Sequence, residues 1–322
     1  MKNAFSMKKI FYISLLVVLW GGICAQQDPQ YSQYMFNQVV INPAYIGSKE
    51  ALSATMDLRK QWISMQGAPR TGTISLHGPL ASKSIGLGGH LVNEAIGPTK
   101  WTAAYFDFAY RLRLGKGKLS FGLSGGLVNY NMSLSQSDYK DPGEVFPNQN
   151  LGQKTVFDAN AGFYYFNNSF YIGGSITHLN SPSLYSGTYY FTNSSSRKDT
   201  SVINFSLRPH SFLYLGKGFQ VNENLVINPS ILFKNDNPAR IGSFDLNCNF
   251  LLRQKLWLGV SYRNGYGIVG LFQYSVTDQL KVGYSYDQGF NRLAKAGGGS
   301  HEIMIGYNFN IYKSKMLSPR YL

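Results

Sequence analysis

The chain has 322 residues and a net charge of +14, yet only 14% of its residues are charged, while 15% are aromatic and 34 are glycine. Water-soluble domains carry nearer a quarter charged residues, so the composition argues against a soluble globular protein. The basic excess would suit nucleic acid, but an export signal at the start argues against that partner and leaves acidic lipid head groups and acidic protein surfaces.

That signal comes first in chain order. Lys8 and Lys9 form a basic n-region, residues 10–20 an apolar stretch, and Ile23, Cys24 and Ala25 an acceptable cleavage site, so 1–25 reads as a removed leader. Ile23 stands where a lipobox needs a small residue, which argues against lipidation at Cys24. Cys248 is then the one mature thiol, so no intrachain disulfide and no cysteine-ligated metal site is expected. No downstream stretch offers the roughly 18 consecutive apolar residues of a membrane helix.

Residues 26–53 form a segment of their own. Tyr31, Tyr34, Met35, Gln38, Val39 and Asn42 follow helix-like spacing, and Pro43 stops any helix near Ile41. So apolar a stretch, carrying also Phe36 and Tyr45, is costly to leave free in water. It is expected to plug a lumen, to cover its mouth or to contact a periplasmic partner.

From residue 54 to 310 the chain alternates with period two. In 105–114, Phe106, Phe108, Tyr110, Leu112 and Leu114 share one face, opposite Asp107, Arg111 and Arg113. Phe157, Ala159, Ala161 and Phe163 repeat this opposite Asp158 and Asn160. Phe244, Leu246, Cys248, Phe250 and Leu252 do so opposite Asp245, Asn247 and Asn249. Strands are predicted at 54–62, 70–78, 84–94, 101–114, 117–131, 154–166, 169–178, 201–215, 223–234, 241–253, 255–264, 266–275, 279–287 and 300–310. The fold class is thus all-β: an antiparallel transmembrane barrel of about 14 strands, greasy outside and polar within. Long connections at 131–153, 179–200 and 288–299 fall on one side of the count. Short ones fall on the other, apart from 216–222, which is too long for its side. Residues 311–322, with Lys313, Lys315 and Arg320, form a basic tail on the short-turn, periplasmic side.

Few residues suggest chemistry. Gly122, Ser124 and Gly126 match G-x-S-x-G, but they lie inside an alternating strand and not at a strand-to-helix elbow. His77, His90, His178, His210 and His301 are scattered without metal-ligand spacing, and read as lumen or interface residues. No cofactor and no enzyme activity is expected. Tyr185, Tyr189, Tyr190 and Phe191 give one external loop the aromatic surface that binding hot spots favour. Gly297, Gly298 and Gly299 are expected to free another, with Asp287, Arg292 and Lys295 as its charged contacts. A small-solute porin is the alternative, its anion preference set by lumen Arg111, Arg113 and Lys281.

Several stretches resemble a known family. They are D-P-Q-Y-S-Q-Y and N-P-A-Y-I-G within 28–47, R-K-Q-W-I-S-M-Q-G-A-P-R-T at 59–71 and G-L-G-G-H-L-V-N-E-A-I-G-P at 86–98. S-Y-D-Q-G-F-N at 285–291, S-H-E-I-M-I-G-Y-N-F at 300–309 and the closing S-P-R-Y-L at 318–322 complete the set. Together they resemble the PorP/SprF outer-membrane proteins of the type IX secretion system of Bacteroidota; the final leucine departs from an aromatic end. The resemblance implies an integral outer-membrane protein that docks, anchors or helps export a secreted surface protein, such as a gliding adhesin, through its C-terminal domain. It implies further contacts with periplasmic secretion components and outer-membrane lipid, and no catalytic residues.

Overall fold

The computed structural model describes residues 28–81, 83–133, 153–192, 198–235 and 242–309, without the side chains of 185–204 and 293. The leader and the basic tail lie outside these residues. Among the described residues seventeen strands follow one another. The first seven are β1 (Leu52–Lys60), β2 (Arg70–Pro79), β3 (Ile85–Ile96), β4 (Thr99–Leu114), β5 (Gly117–Met132), β6 (Gln153–Phe166) and β7 (Phe170–Thr177). Then come β8 (Ser183–Thr192), β9 (Lys198–Ser206), β10 (His210–Lys217), β11 (Phe219–Asn222) and β12 (Leu225–Asn235). The last are β13 (Ser243–Leu252), β14 (Leu256–Arg263), β15 (Gly267–Ser275), β16 (Leu280–Gly289), a short helix α1 (Arg292–Gly297) and β17 (Ser300–Phe309).

All neighbours pair antiparallel. β1 pairs with both β2 and β17, and β10 with both β7 and β12, so the sheet closes on itself. β10 and β11 are one wall strand: Gly216 faces Ser230 and Phe219 faces Ile227 in the same register. The ladder lapses between them, where Pro229 has no N–H to give. Fourteen wall strands result, as the alternation predicts. Closure leaves the wall without a free edge strand, which the bilayer core requires.

The pleat sorts the side chains. Outward Phe106, Leu123 and Phe157 are 61%, 63% and 58% exposed, whereas inward Asp107, Asp158, Asp245 and Asp287 are all at 0%. His301 sits on the outward face of β17, bonded to the Tyr284 hydroxyl at 2.6 Å.

Two predicted boundaries change. Residues 201–206 belong to β9, which with β8 makes a separate hairpin, and the wall strand starts only at His210. Both pieces alternate with period two, so periodicity alone ran them together across Leu207 and Pro209. The supposed long turn 216–222 is strand, and the true turn is Glu223–Asn224. All described turns on that side are then short, with no exception. The hairpin is rooted in the barrel mouth: Leu184 and Leu207 are buried against the inward-facing Ala103, Tyr105, Val128 and Tyr130.

Candidate functional site: the plugged lumen

Residues 28–51 run inside the barrel from its long-loop end to its short-turn end, where β1 begins. Gln33, Asn42 and Ile46 are at 1%, 0% and 0% exposure. The expected helix is absent. Turns and two 3-10 turns, Gln38–Val40 and Pro43–Tyr45, take its place. The reason is that wall surrounds this segment on all sides, so no single face needs to be apolar. Its backbone N–H groups also find partners in the wall.

The upper part is held by charge. Arg59 of β1 donates to Asp287 of β16 at 2.7 Å and to Glu302 of β17 at 3.1 Å. Arg263 reaches Asp245 at 3.2 Å, and Lys234 reaches the same carboxylate at 2.9 Å. Three cations thus meet three carboxylates. Into this network the plug inserts residues 30–33. Glu302 accepts the backbone N–H of both Ser32 and Gln33 at 2.8 Å. The Ser32 hydroxyl donates to Asp287 and accepts from Arg59, each at 2.8 Å. Arg263 donates to the Tyr31 carbonyl at 3.2 Å. Charge-assisted bonds of this kind are the strong ones, and Arg59, Asp287 and Glu302 are buried.

A second charged chain closes the long-loop end. His178, the first residue after β7, faces Asp158 with Nδ1 at 2.8 Å and Asp28 with Nε2 at 2.7 Å. Only an imidazolium donates from both nitrogens. His210 adds Nδ1 to Asp28 at 3.0 Å, Thr177 donates to Asp28 at 3.2 Å, and the Tyr105 hydroxyl donates to Asp158 at 2.7 Å. Burial alone would lower the His178 pKa, but Asp28 and Asp158 override it and raise it to about 10. Burial would raise the Asp28 carboxyl, but the charges of His178 and His210 hold it well below the usual carboxylate range.

The signs give a pH window. The Asp28 contribution is present above about pH 4 and is lost as pH falls further. The His178 contribution is complete below about pH 6.5 and fades until pH passes about 10. The thermal midpoint of the protein should therefore fall between pH 6.5 and 10, and fall less steeply in Asp28→Asn. Equal slopes in the two proteins would refute the assignment.

The lower part is held by packing. Asn42 caps the Pro43–Tyr45 turn by accepting from Ala44 N–H at 2.9 Å, and donates to the Phe163 carbonyl at 2.9 Å and the Tyr214 hydroxyl at 3.1 Å. Tyr45 meets Tyr164 edge-on, ring centroids 5.4 Å apart. The wall makes room with glycine: a Cβ at Gly122 would run into the backbone of Pro43 and Ala44, and one at Gly162 into Asn42. Further down, His77 Nδ1 accepts from Gly47 N–H at 3.0 Å, and Arg111 donates to the Ile46 carbonyl at 2.9 Å.

The structure places the residues singled out in the sequence as follows. Tyr31, Tyr34, Asn42, Pro43 and Tyr45 are buried in the lumen, with Phe36 partly buried beside them. Tyr185, Tyr189, Tyr190 and Phe191 lie on β8, in the stretch whose side chains are not described. Arg292 and Lys295 are exposed on α1. Lys313, Lys315 and Arg320 lie outside the described residues. Asp287 is not a contact of the long-loop end: its strand parity turns it inward to Arg59. Gly297 and Gly299 pack closely against Trp62 and Tyr286, and Gly297 and Gly299 carbonyls accept from the 61–69 loop. They allow contact and do not free the loop. Ser124 faces Asp107 across the β4–β5 ladder, and Asp107 in turn holds His90 at 2.8 Å. The Ser124 hydroxyl makes no hydrogen bond to either side chain.

Sequence reasoning missed Arg59, Arg263 and Glu302 as a group. The one available signal was that buried charges recur at inward positions of strands rich in apolar residues.

The sequence matches the family described as "Type IX secretion system membrane protein PorP/SprF" over residues 23–307. No curated protein matches it. Among solved structures it is similar to the CymD monoaromatic hydrocarbon channel, with TM-score 0.53 at 13% identity over 89% of this chain and 95% of that one. The Ralstonia pickettii toluene transporter TbuX aligns with TM-score 0.52 at 10% identity over 84% and 93%. A Pseudomonas aeruginosa FadL homologue aligns with TM-score 0.50 at 12% identity over 88% and 95%. At these identities the likeness is one of fold, that of an outer-membrane barrel.

Proposed function

Because the chain belongs to the PorP/SprF family of type IX secretion system membrane proteins, we propose that its barrel docks and anchors a secreted surface protein, such as an adhesin, at the outer membrane. The observation that carries this reading is the lumen occupied by residues 28–51. The plug is bonded to the wall along its length, and the hairpin root fills the mouth above it. A closed barrel offers surfaces and not a path, so its work falls to its two ends. The long-loop end, taken as external, carries the β8–β9 hairpin, the 61–69 loop and α1 for the cargo. The short-turn end, taken as periplasmic, faces the rest of the secretion machinery.

The test is a crosslinked pull-down from outer membranes, comparing the intact protein with a hairpin-tip deletion of residues 187–203. Leu184, Phe205 and Leu207 are kept because they pack in the mouth. The intact protein should co-purify one large surface protein. The deletion should lose most of it while keeping the heat-modifiable mobility of a folded barrel. Undiminished capture would remove the hairpin from the docking surface. The rival reading, a small-solute channel, predicts steady conductance of the intact protein in planar bilayers; the docking reading predicts closed membranes.

A further inference from the structure

We propose that the short-turn mouth of the barrel binds an oxyanion, a carboxylate or phosphate group, between Lys49 and Lys281. This inference does not rest on the docking reading. Between the plug and the wall at that end lies a cavity of about 90 Å³ whose lining includes both lysines and no aspartate or glutamate. A water occupies about 30 Å³ in the liquid, so the space suits a few waters or one such anion.

The two lysines face the same cavity. Neither makes an ion pair among the described residues. Lys49 has one neutral partner, the Phe36 carbonyl, at 3.4 Å. Burial pushes its pKa down to about 8, and only Asp57 opposes this. Asp57 does not line the cavity, and one of its oxygens takes the Asn37 amide at 2.6 Å.

Other donors point the same way. The Gln273 amide has only the Met304 sulfur, at 4.0 Å, a weak acceptor. The side-chain oxygen of Asn249 has no hydrogen-bond partner, and turning that amide over presents its NH2 group instead. Two half-buried cations with no carboxylate in the lining describe a site with room for one anion between them, since charge withdrawn from water ordinarily finds a counter-charge. Lys49 belongs to the plug segment and Lys281 to β16. An anion between them would tie the foot of the plug to the wall.

Trp257 lines the cavity beside Phe36, ring centroids 6.0 Å apart, and serves as a reporter. The experiment titrates the full-length protein in detergent with sodium phosphate, and separately with sodium acetate, at constant ionic strength set by sodium chloride. The expected result is a saturable change in fluorescence that disappears in Trp257→Phe. Apparent affinity should weaken on the order of tenfold or more in Lys49→Gln/Lys281→Gln, whose barrel stays heat-modifiable. Tighter binding of phosphate assigns the site to a phosphate group; tighter binding of acetate assigns it to a carboxylate such as an acidic side chain. A linear response, or saturation unchanged in the double variant, overturns the proposal.

Discussion

Deleting residues 28–47 is expected to turn a silent protein into a conducting one. Fourteen strands enclose more space than the eight-stranded barrels that wall side chains fill unaided, and slightly less than the open porins of 16–18 strands. Here the difference is filled by the plug: Tyr31, Tyr34, Met35, Val39, Ile41, Ala44, Tyr45 and Ile46 form its buried apolar part. Once they are gone, the polar inward face hydrates and the lumen becomes a water path. Planar-bilayer recording should show discrete conductance steps for the deletion and none for the intact protein. Unheated gel mobility checks that the deletion still forms a barrel. A folded deletion that stays closed would mean the hairpin root alone seals the mouth.

Arg59→Ala should have the largest effect of any single substitution in the upper clamp. The guanidinium is the shared partner of Asp287, Glu302 and Ser32. Removing it leaves Glu302 without its cation and Asp287 with only Arg263, at 3.5 Å. Breaking a buried pair from one side typically costs about 3–5 kcal/mol, because the orphaned charge stays buried. Urea unfolding in vesicles, followed by tryptophan fluorescence, should show a midpoint lowered accordingly. Arg59→Lys should fall between, keeping the charge but not the fork that serves three acceptors. Neutralising the carboxylates as well, with Arg59→Met, Asp287→Asn and Glu302→Gln together, should recover a large part of the loss. If the triple variant is as weak as Arg59→Ala, the cost lies in packing and not in charge.

The clamp joins in space the distant stretches of sequence that carry the family resemblance. Ser32 lies in D-P-Q-Y-S-Q-Y, Arg59 heads R-K-Q-W, Asp287 sits in S-Y-D-Q and Glu302 in S-H-E-I. In space they are one hydrogen-bonded cluster. Gly122 and Gly162 answer to N-P-A in the same way. What reads as scattered motif is a single contact between plug and wall.

Much of the wall was legible from residue order alone, because a strand's side chains alternate with a fixed period of two. That rule placed Phe106 and Phe157 toward lipid and Asp107, Asp158 and Asp245 within. The same rule counted fourteen strands, and the lengths of the connections agreed with that count by falling long on one side and short on the other. The rule is local, and it failed where a non-local choice mattered. It joined 201–206 to a wall strand, because a hairpin outside the barrel alternates as well as one within it. It made a turn of 216–222, because a lapse at Pro229 belongs to the neighbouring strand. It suggested a helix in 31–42, because it assumed a segment with one buried face.

The amino-acid order by itself determined an exported, alternating, lipid-facing wall and a distinct apolar segment ahead of it. Only the tertiary structure decided that this segment fills the lumen, and which charges hold it there. Barrel closure is the reason. It brings β1 beside β17 and sets Arg59 against Glu302, 243 residues away, and no pattern confined to a single strand carries that information.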